Sequence, residues 1–482
     1  MSKISAFLNK YLLAVVILMQ PFLDVLAFFT ASEKGTASGY IRLAIMAGLF
    51  LYALGKERKN RLFLFASLCA AAVFALHILN GFRCGYSNFT SDFMYAAKTA
   101  YMPVMAISFC GLIKKDETRD LVLSCLTVNA AVEILVVLLS YLTGTYTTTY
   151  GPGLGISGWV IEDNRCCHSD IISSLCIYLA LFGITTGKKY MHVFAPIAIT
   201  ALFLTNGTSA CYLTLLAIMA GYPAFLLVRS LILKEKLTRG ERISSIVMAS
   251  LFAFSIIIYP VTPRYKMEEI EHSFYSDTQI KFEKKMEALG YDLYAMTPQE
   301  KMENEEVHDC LVEYYKPFMF SGVPSMMRKF DIDRIMWKYN VTHDATILGD
   351  NREMKQVYAS LLFEDSDFLT RITGFEFATI GEDLTADLEN DWVAVFFYYG
   401  YFGFAILLLG VLFLILRIIL TLKNNFRKTI SLQNFCILMA FFIALGLGYF
   451  SGATMRRPNA SIYLSLAAAL IYYQTGRKAY EA

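Results

Sequence analysis

The sequence consists largely of apolar runs, each about as long as a lipid bilayer is thick. About 20 residues of helix cross the hydrocarbon core, so runs of roughly 17–25 mainly apolar residues predict membrane-spanning helices. Of the 482 residues, 56% are hydrophobic and only 17% are charged, whereas a soluble domain has about 25% charged residues. This excess of apolar surface requires lipid and predicts an integral membrane protein.

Twelve such runs predict an all-α polytopic membrane fold with about twelve transmembrane helices. They lie near residues 11–31, 39–55, 62–82, 93–113, 120–142, 167–187, 190–206, 209–233, 243–261, 391–420, 433–452 and 459–475. A long polar segment, 263–390, separates the ninth run from the tenth, and its apolar spacing predicts a mainly helical cap. We therefore expect three parts: helices 1–9 in residues 1–262, the cap in 263–390, and helices 10–12 in 391–482.

The distribution of charge predicts the orientation of the chain and excludes one class of partner. Basic residues cluster in short loops that alternate along the chain, in register with the N-terminus, so both termini are predicted to be cytoplasmic. The segment 263–390 then faces outward. It contains 14 Lys and Arg but 26 Asp and Glu, and such an acidic surface argues against nucleic acid as its partner.

Four basic residues stand where the membrane topology makes a positive charge unusual. Arg42 and Lys98 lie near the outward ends of the second and fourth predicted helices, and charge inside a membrane is costly. Arg456 and Arg457 occupy the outward turn between the last two helices, which the positive-inside rule leaves poor in Arg. They predict either an anion site, for which Arg is suited, or side chains that extend to lipid phosphates.

Two carboxylates, Glu389 and Asp391, immediately precede the tenth predicted helix where it enters the membrane from outside. The dipole of a helix favours a carboxylate at its N-terminus, so a structural cap is one interpretation. A general base at the membrane surface is the other. The ten cysteines show no CxxC spacing that would indicate a metal site.

The spacing Glu389-Asn390-x-x-Val393-x6-Gly400 resembles the signature of the O-antigen ligase and O-antigen polymerase superfamily, in which His stands at the first position. Glu there, with Asp two residues later, is similar to ligase-like membrane proteins of Gram-positive bacteria. Arg352 and the turn Gly374-Phe375-Glu376 resemble the basic residue and the glycine turn that precede this signature in the family. The resemblance is most specific between residues 352 and 403.

Weaker matches and two departures lie elsewhere in the chain. Gly158-Trp159 with Asn164 resembles a family segment before the sixth helix, and Pro458 to Leu464 resembles the start of the last helix. Ser209 stands where a basic residue is expected, and Met455-Arg456-Arg457 replaces a Gly-His pair. Either the positive charge has moved to the final turn, or the activity has changed or been lost.

The resemblance implies a GT-C-like helical fold in the bacterial plasma membrane. It also implies inverting glycan transfer from an undecaprenyl-pyrophosphate-linked donor to a glycan or lipid acceptor, without a metal or another cofactor. In this interpretation Glu389 or Asp391 removes the proton from the acceptor hydroxyl, and Arg352 helps to stabilise the charge that develops on the departing pyrophosphate. The residues implied to bind the lipid-linked donor are Arg42, Lys98, Asn164, Arg456 and Arg457.

Two other classes of function remain as alternatives to a ligase or polymerase. A transporter or flippase of lipid-linked glycan explains the helices and the basic residues, although the sequence shows no inverted repeat of the kind that many transporters have. A catalytically silent partner in cell-envelope polysaccharide assembly is the other, and Ser209 favours it.

Overall fold

The structure is a computed structural model of the chain. It describes residues 3–30, 37–161, 165–185, 188–323, 326–381, 388–452 and 454–477.

Helices account for most of the described residues. The first nine are α1 (Lys3–Phe29), α2 (Ala37–Glu57), α3 (Arg61–Cys84), α4 (Phe89–Leu112), α5 (Asp116–Leu142), α6 (Arg165–Thr185), α7 (Met191–Asn206), α8 (Ser209–Leu233) and α9 (Arg239–Ile257). A short antiparallel pair of strands, β1 (Thr147–Thr148) and β2 (Ile156–Gly158), lies between α5 and α6, and a 3₁₀ turn, Tyr259–Val261, follows α9.

One long helix and eight shorter ones then occupy the polar segment that was predicted to be a helical cap. They are α10 (Pro263–Ala288), α11 (Pro298–Glu303), α12 (Glu305–Gly322), α13 (Met326–Lys329), α14 (Ile332–Lys338), α15 (Ala345–Leu348), α16 (Asn351–Asp365), α17 (Phe368–Thr373) and α18 (Phe377–Gly381). The chain continues with α19 (Asp391–Asn424), α20 (Phe426–Thr429), α21 (Leu432–Phe450) and α22 (Pro458–Arg477).

Each of the twelve apolar runs overlaps one long helix of the structure, and the all-α polytopic membrane fold is confirmed. Within the described ranges, nine helices are long and apolar enough to cross a membrane, and α7 is a shorter apolar helix. The count of twelve spans therefore stays a prediction, as do the division into three parts and the cytoplasmic termini.

The chain forms two compact units. Unit 1 comprises residues 1–72, 96–266 and 406–482. Its centre is α6, which packs against α5, α7, α8, α21 and α22 and is almost entirely buried. Small polar residues such as Ser169 and Ser173 on α6 suit this position, because small side chains let helices in a membrane protein approach closely and form hydrogen bonds.

Unit 2 comprises residues 73–95 and 267–405. Its core is aromatic: Phe282 of α10 stacks on Tyr314 of α12, with ring centroids 4.0 Å apart. Tyr315 of α12 and Tyr358 of α16 are fully buried. These contacts make α16 a well-packed support for the side chains on its remaining faces.

A close crossing of backbones in unit 2 requires two glycines. Gly374 and Gly400 have positive φ angles of 88° and 62°, and Gly400 marks a kink inside α19. A Cβ on Gly374 would overlap the Tyr398 carbonyl, and one on Gly400 would overlap the backbone of Ile372. Gly374, in the turn before the signature, and Gly400, at its end, therefore allow the turn after α17 to pack directly against the start of α19.

We expect Gly374→Ala and Gly400→Ala each to destabilise the protein. A positive φ costs a non-glycine residue about 1–3 kcal/mol, and the overlap with backbone atoms adds to that cost. The melting temperature of the purified full chain in detergent measures the effect. Gly410→Ala is the matched control, since nothing lies within 4 Å of its Cβ position on α19; equal melting temperatures for all three variants would contradict the close crossing.

Candidate functional site

Three charged side chains of unit 2 meet at the start of the sequence signature. Arg352 and Lys355 are one turn apart in α16 and therefore project from the same side of that helix. The Nε atom of Arg352 donates to Oε2 of Glu389 at 3.1 Å, and Nζ of Lys355 donates to Oε1 at 2.8 Å. Asp350 caps α16 by accepting from the backbone N–H of Arg352 at 2.8 Å, which fixes the turn that carries both cations.

The surroundings keep the Glu389 carboxylate ionised while leaving it accessible. Its side chain is 35% exposed and that of Arg352 is 43% exposed, whereas Lys355 is only 6% exposed. Burial acts to raise the pKa of Glu389, but the charges and hydrogen bonds of Lys355 and Arg352 outweigh it and hold the pKa below the usual value for Glu. At neutral pH the group is therefore a carboxylate that can accept a hydrogen bond from a hydroxyl group.

The next two residues of the signature build the start of α19. The side-chain oxygen of Asn390 accepts from the backbone N–H of Val393 at 3.1 Å, which is the contact expected of an N-cap. Asp391 lies in the first helical turn and is fully buried, where the helix dipole favours its charge. Of the two predicted carboxylates, only Glu389 is accessible.

The turn Gly374-Phe375-Glu376 is anchored on both sides. The Glu376 carboxylate accepts from the backbone N–H groups of Ser87 and Asn88 at 3.0 and 2.6 Å, just before α4. The amide of Asn80 donates to the Gly374 carbonyl at 3.1 Å. This part of the signature therefore acts as a structural clamp at the glycine crossing.

Four of the five predicted donor-binding residues lie in the described part of unit 1. Arg42 is buried and pairs with Asp24 at 2.9 Å, and its Nε atom donates to Oε1 of Gln20 at 3.1 Å. Lys98 is half-buried on α4. Asn164 lies outside the described residues.

The two adjacent arginines of unit 1 have different surroundings. Arg456 is buried and donates to the Gly452 carbonyl at 2.8 Å, whereas Arg457 is half-buried. The turn that carries them is held by Asp170 of α6, whose carboxylate accepts from the hydroxyls of Ser451, at 2.6 Å, and Thr454.

Asn459, two residues after Arg457, donates at 3.3 Å to the same Asp24 carboxylate that pairs with Arg42, so the structure brings two of the predicted cations to one region of unit 1. Ser209, which stands where the family pattern has a basic residue, is half-buried and begins α8.

The sequence predicted Arg352 and Glu389 as partners but missed Lys355, Asp24 and Asp170. The spacing of three residues after Arg352 was a signal for Lys355 on the same helical side. In the part of the chain that the structure describes, no group of three or more His, Cys, Asp or Glu residues could hold a metal ion. Metal independence stays a prediction.

The sequence profile of the O-antigen ligase-like membrane proteins matches residues 6–475, nearly the whole chain. The chain belongs to this family. No curated protein matches this O-antigen ligase-like protein. Membership confirms the family predicted from the signature, and it supports a polysaccharide ligase or polymerase function at a membrane.

We expect Glu389→Gln to lower the stability of this O-antigen ligase-like protein at pH 7, because the largely buried Lys355 loses a counter-charge. Removing one partner of a fully buried pair costs about 3–5 kcal/mol, and we expect about 1–3 kcal/mol here since Glu389 is partly exposed. Adding Lys355→Met to Glu389→Gln recovers part of the loss. Melting temperatures of the two single variants and the double variant measure the coupling, and strictly additive effects would refute it.

The loss of folding stability in Glu389→Gln should become smaller at acidic pH. A Glu residue whose pKa is lowered in the folded state stabilises the fold above its unfolded pKa, which is about 4.3, and this contribution disappears as the pH falls through the folded pKa. The difference in melting temperature between the wild type and Glu389→Gln should therefore be constant from neutral pH to about 5 and shrink below about 4.3.

Proposed function

We propose that the protein transfers a glycan from an undecaprenyl-pyrophosphate-linked donor to the hydroxyl group of an acceptor, as a polysaccharide ligase or polymerase of the bacterial plasma membrane. The observation that carries the proposal is the Glu389 carboxylate. It is accessible, it is held between Arg352 and Lys355, and it immediately precedes the apolar helix α19. Family membership supports the same class of reaction.

Glu389 is the proposed base. The acceptor hydroxyl donates a hydrogen bond to the carboxylate, its oxygen attacks the anomeric carbon of the donor sugar, and the bond from that carbon to the pyrophosphate breaks with inversion. The proton passes to Glu389 as the attacking oxygen becomes positively charged. A carboxylate with a low pKa can accept it at that point, because forming the new C–O bond makes the hydroxyl proton far more acidic; before that, the base is weak.

Arg352 supplies a way to strengthen this base when the donor is bound. Its guanidinium group is 43% exposed, and a pyrophosphate competes well for Arg because two N–H groups can bind two phosphate oxygens at once. Once Arg352 turns toward the donor, Glu389 loses one of the two cations that lower its pKa. Its affinity for the proton of the acceptor then rises.

The cations of unit 1 are the proposed contacts for the lipid-linked donor. Arg457 is the foremost of them because it is half-buried and lies in a turn that Asp170 anchors. Arg456, Lys98 and Asn164 complete the proposed set, together with Arg42. Arg42 already has Asp24 as a counter-ion, so its main contribution is to position its neighbours. Positive charge that is fixed before the reaction stabilises a departing pyrophosphate without reorganisation.

We expect Glu389→Gln to reduce glycan transfer by at least about 100-fold, the lower end of what a general base contributes. The assay uses membranes that contain the full chain, the matching lipid-linked donor and its acceptor. Asp391→Asn should reduce turnover by less than about tenfold, because that carboxylate is fully buried and cannot reach an acceptor. Transfer that survives Glu389→Gln but is lost in Asp391→Asn would make Asp391 the base, and transfer that survives both would refute the assignment.

A further inference from the structure

A cleft of about 400 Å³ opens within unit 2 between α14, α16 and the first turns of α19. Small-molecule sites in proteins have volumes of about 300–1,000 Å³, so the cleft is large enough for a ligand. The proposed base Glu389 and its two cations, Arg352 and Lys355, are not among the described residues that line it.

The two walls of the cleft differ in chemistry. The wall formed by α16 carries three polar side chains, Glu353, Gln356 and Ser360, beside the apolar Val357, and Lys338 from α14 lies next to them. The opposite wall is aromatic and belongs to α19. Its Trp392 and Phe396 both pack edge-to-face against Phe404, with ring centroids 6.5 and 5.6 Å apart.

A sugar ring matches these walls. Its C–H face is apolar and packs on an aromatic ring, while its hydroxyl groups point outward from the ring edge toward amide, hydroxyl and carboxylate side chains. A polyprenyl chain matches only the aromatic wall. It would cover Glu353, Gln356 and Ser360 without offering a hydrogen bond, and burying polar groups in that way costs free energy.

The cleft and the Glu389 cluster share the same two helices. Arg352 and Lys355 project from one side of α16 and reach Glu389, while Gln356 projects from the adjoining face into the cleft. Residues 352 and 356 are separated by about 6 Å along the helix axis, and Trp392 follows Glu389 by only three residues. The cleft and the proposed base are therefore formed by the same stretches of chain, the middle of α16 and the start of α19.

We propose that this cleft binds a sugar residue of the acceptor at a distance from the hydroxyl that is attacked, so that the acceptor is a glycan of at least two sugar units. This inference rests on the proposed function and narrows its acceptor from a glycan or a lipid to a sugar chain. Trp392 and Gln356 are the principal contacts, one for the face of the sugar and one for its hydroxyl groups.

Photo-crosslinking in membranes of the producing cell identifies the occupant directly. The full chain carries p-benzoylphenylalanine at Trp392 or, as a second aromatic position of the same wall, at Phe404. The expected adduct contains glycan, detected by periodate oxidation and hydrazide labelling. Phe368 is the control position, because it is 73% exposed and does not line the cleft. An adduct that carries only radiolabelled polyprenyl chain, or no adduct above the Phe368 control at either position, overturns the proposal.

Steady-state kinetics separate the acceptor from the donor as the source of the sugar. Trp392→Ala and Gln356→Ala should each raise the KM for the acceptor about tenfold, equivalent to about 1.4 kcal/mol, with the donor KM and kcat changed less than twofold. Phe368→Ala should change none of the three. A rise in the donor KM alone would place the donor glycan in the cleft and overturn the assignment to the acceptor.

The two proposals fail in distinguishable ways. Glycan crosslinking at position 392 together with transfer that survives Glu389→Gln refutes the base and leaves the cleft intact. Transfer that requires Glu389 together with crosslinking only to lipid refutes the cleft and leaves the base intact.

Discussion

The contact that joins Glu389 to Arg352 and Lys355 requires the rest of unit 2 to hold these three side chains rigidly in place. Two cations that converge on one carboxylate must come from a rigid support, because a flexible pair would lose to side-chain entropy what it gains from attraction. Helix α16 provides that support through the cap at Asp350 and the buried ring of Tyr358. The same contact leaves Glu389 accessible and ionised, which a carboxylate needs before it can accept a proton at a membrane surface.

Each residue that matches the family pattern around this contact has its own structural role. Asn390 caps α19 through the Val393 amide, so Glu389 stands just outside the helix instead of within its first turn. Gly374 and Gly400 allow two backbones to cross where any Cβ would overlap a neighbour. The spacing from Glu389 to Gly400 is therefore the length of the helical segment between the proposed base and the kink in α19.

The sequence predicted most of the helices, since an apolar run of bilayer length satisfies its backbone hydrogen bonds in lipid by forming a helix. The family resemblance placed Arg352 and Glu389 in one catalytic site, and that role stays a prediction. The sequence did not predict Lys355, which has the appearance of an ordinary charged residue of a polar helix until Glu389, 34 residues later, is placed beside it. Arg42 was predicted from the cost of charge in a membrane, but its neutralisation by Asp24 is a contact between helices that periodicity alone does not define. Long-range pairing is the information that single-sequence patterns lack.

The central claim is that Glu389 acts in glycan transfer after the donor has crossed the membrane. The most direct measurement is the amount and leaflet of the lipid-linked glycan donor in producing cells that carry Glu389→Gln in place of the wild-type chain. If Glu389 acts in transfer, untransferred donor accumulates on the outer leaflet. Donor retained on the inner leaflet would indicate a flippase, and donor levels equal to those of the wild type would show that transfer does not depend on Glu389; either result would contradict the account.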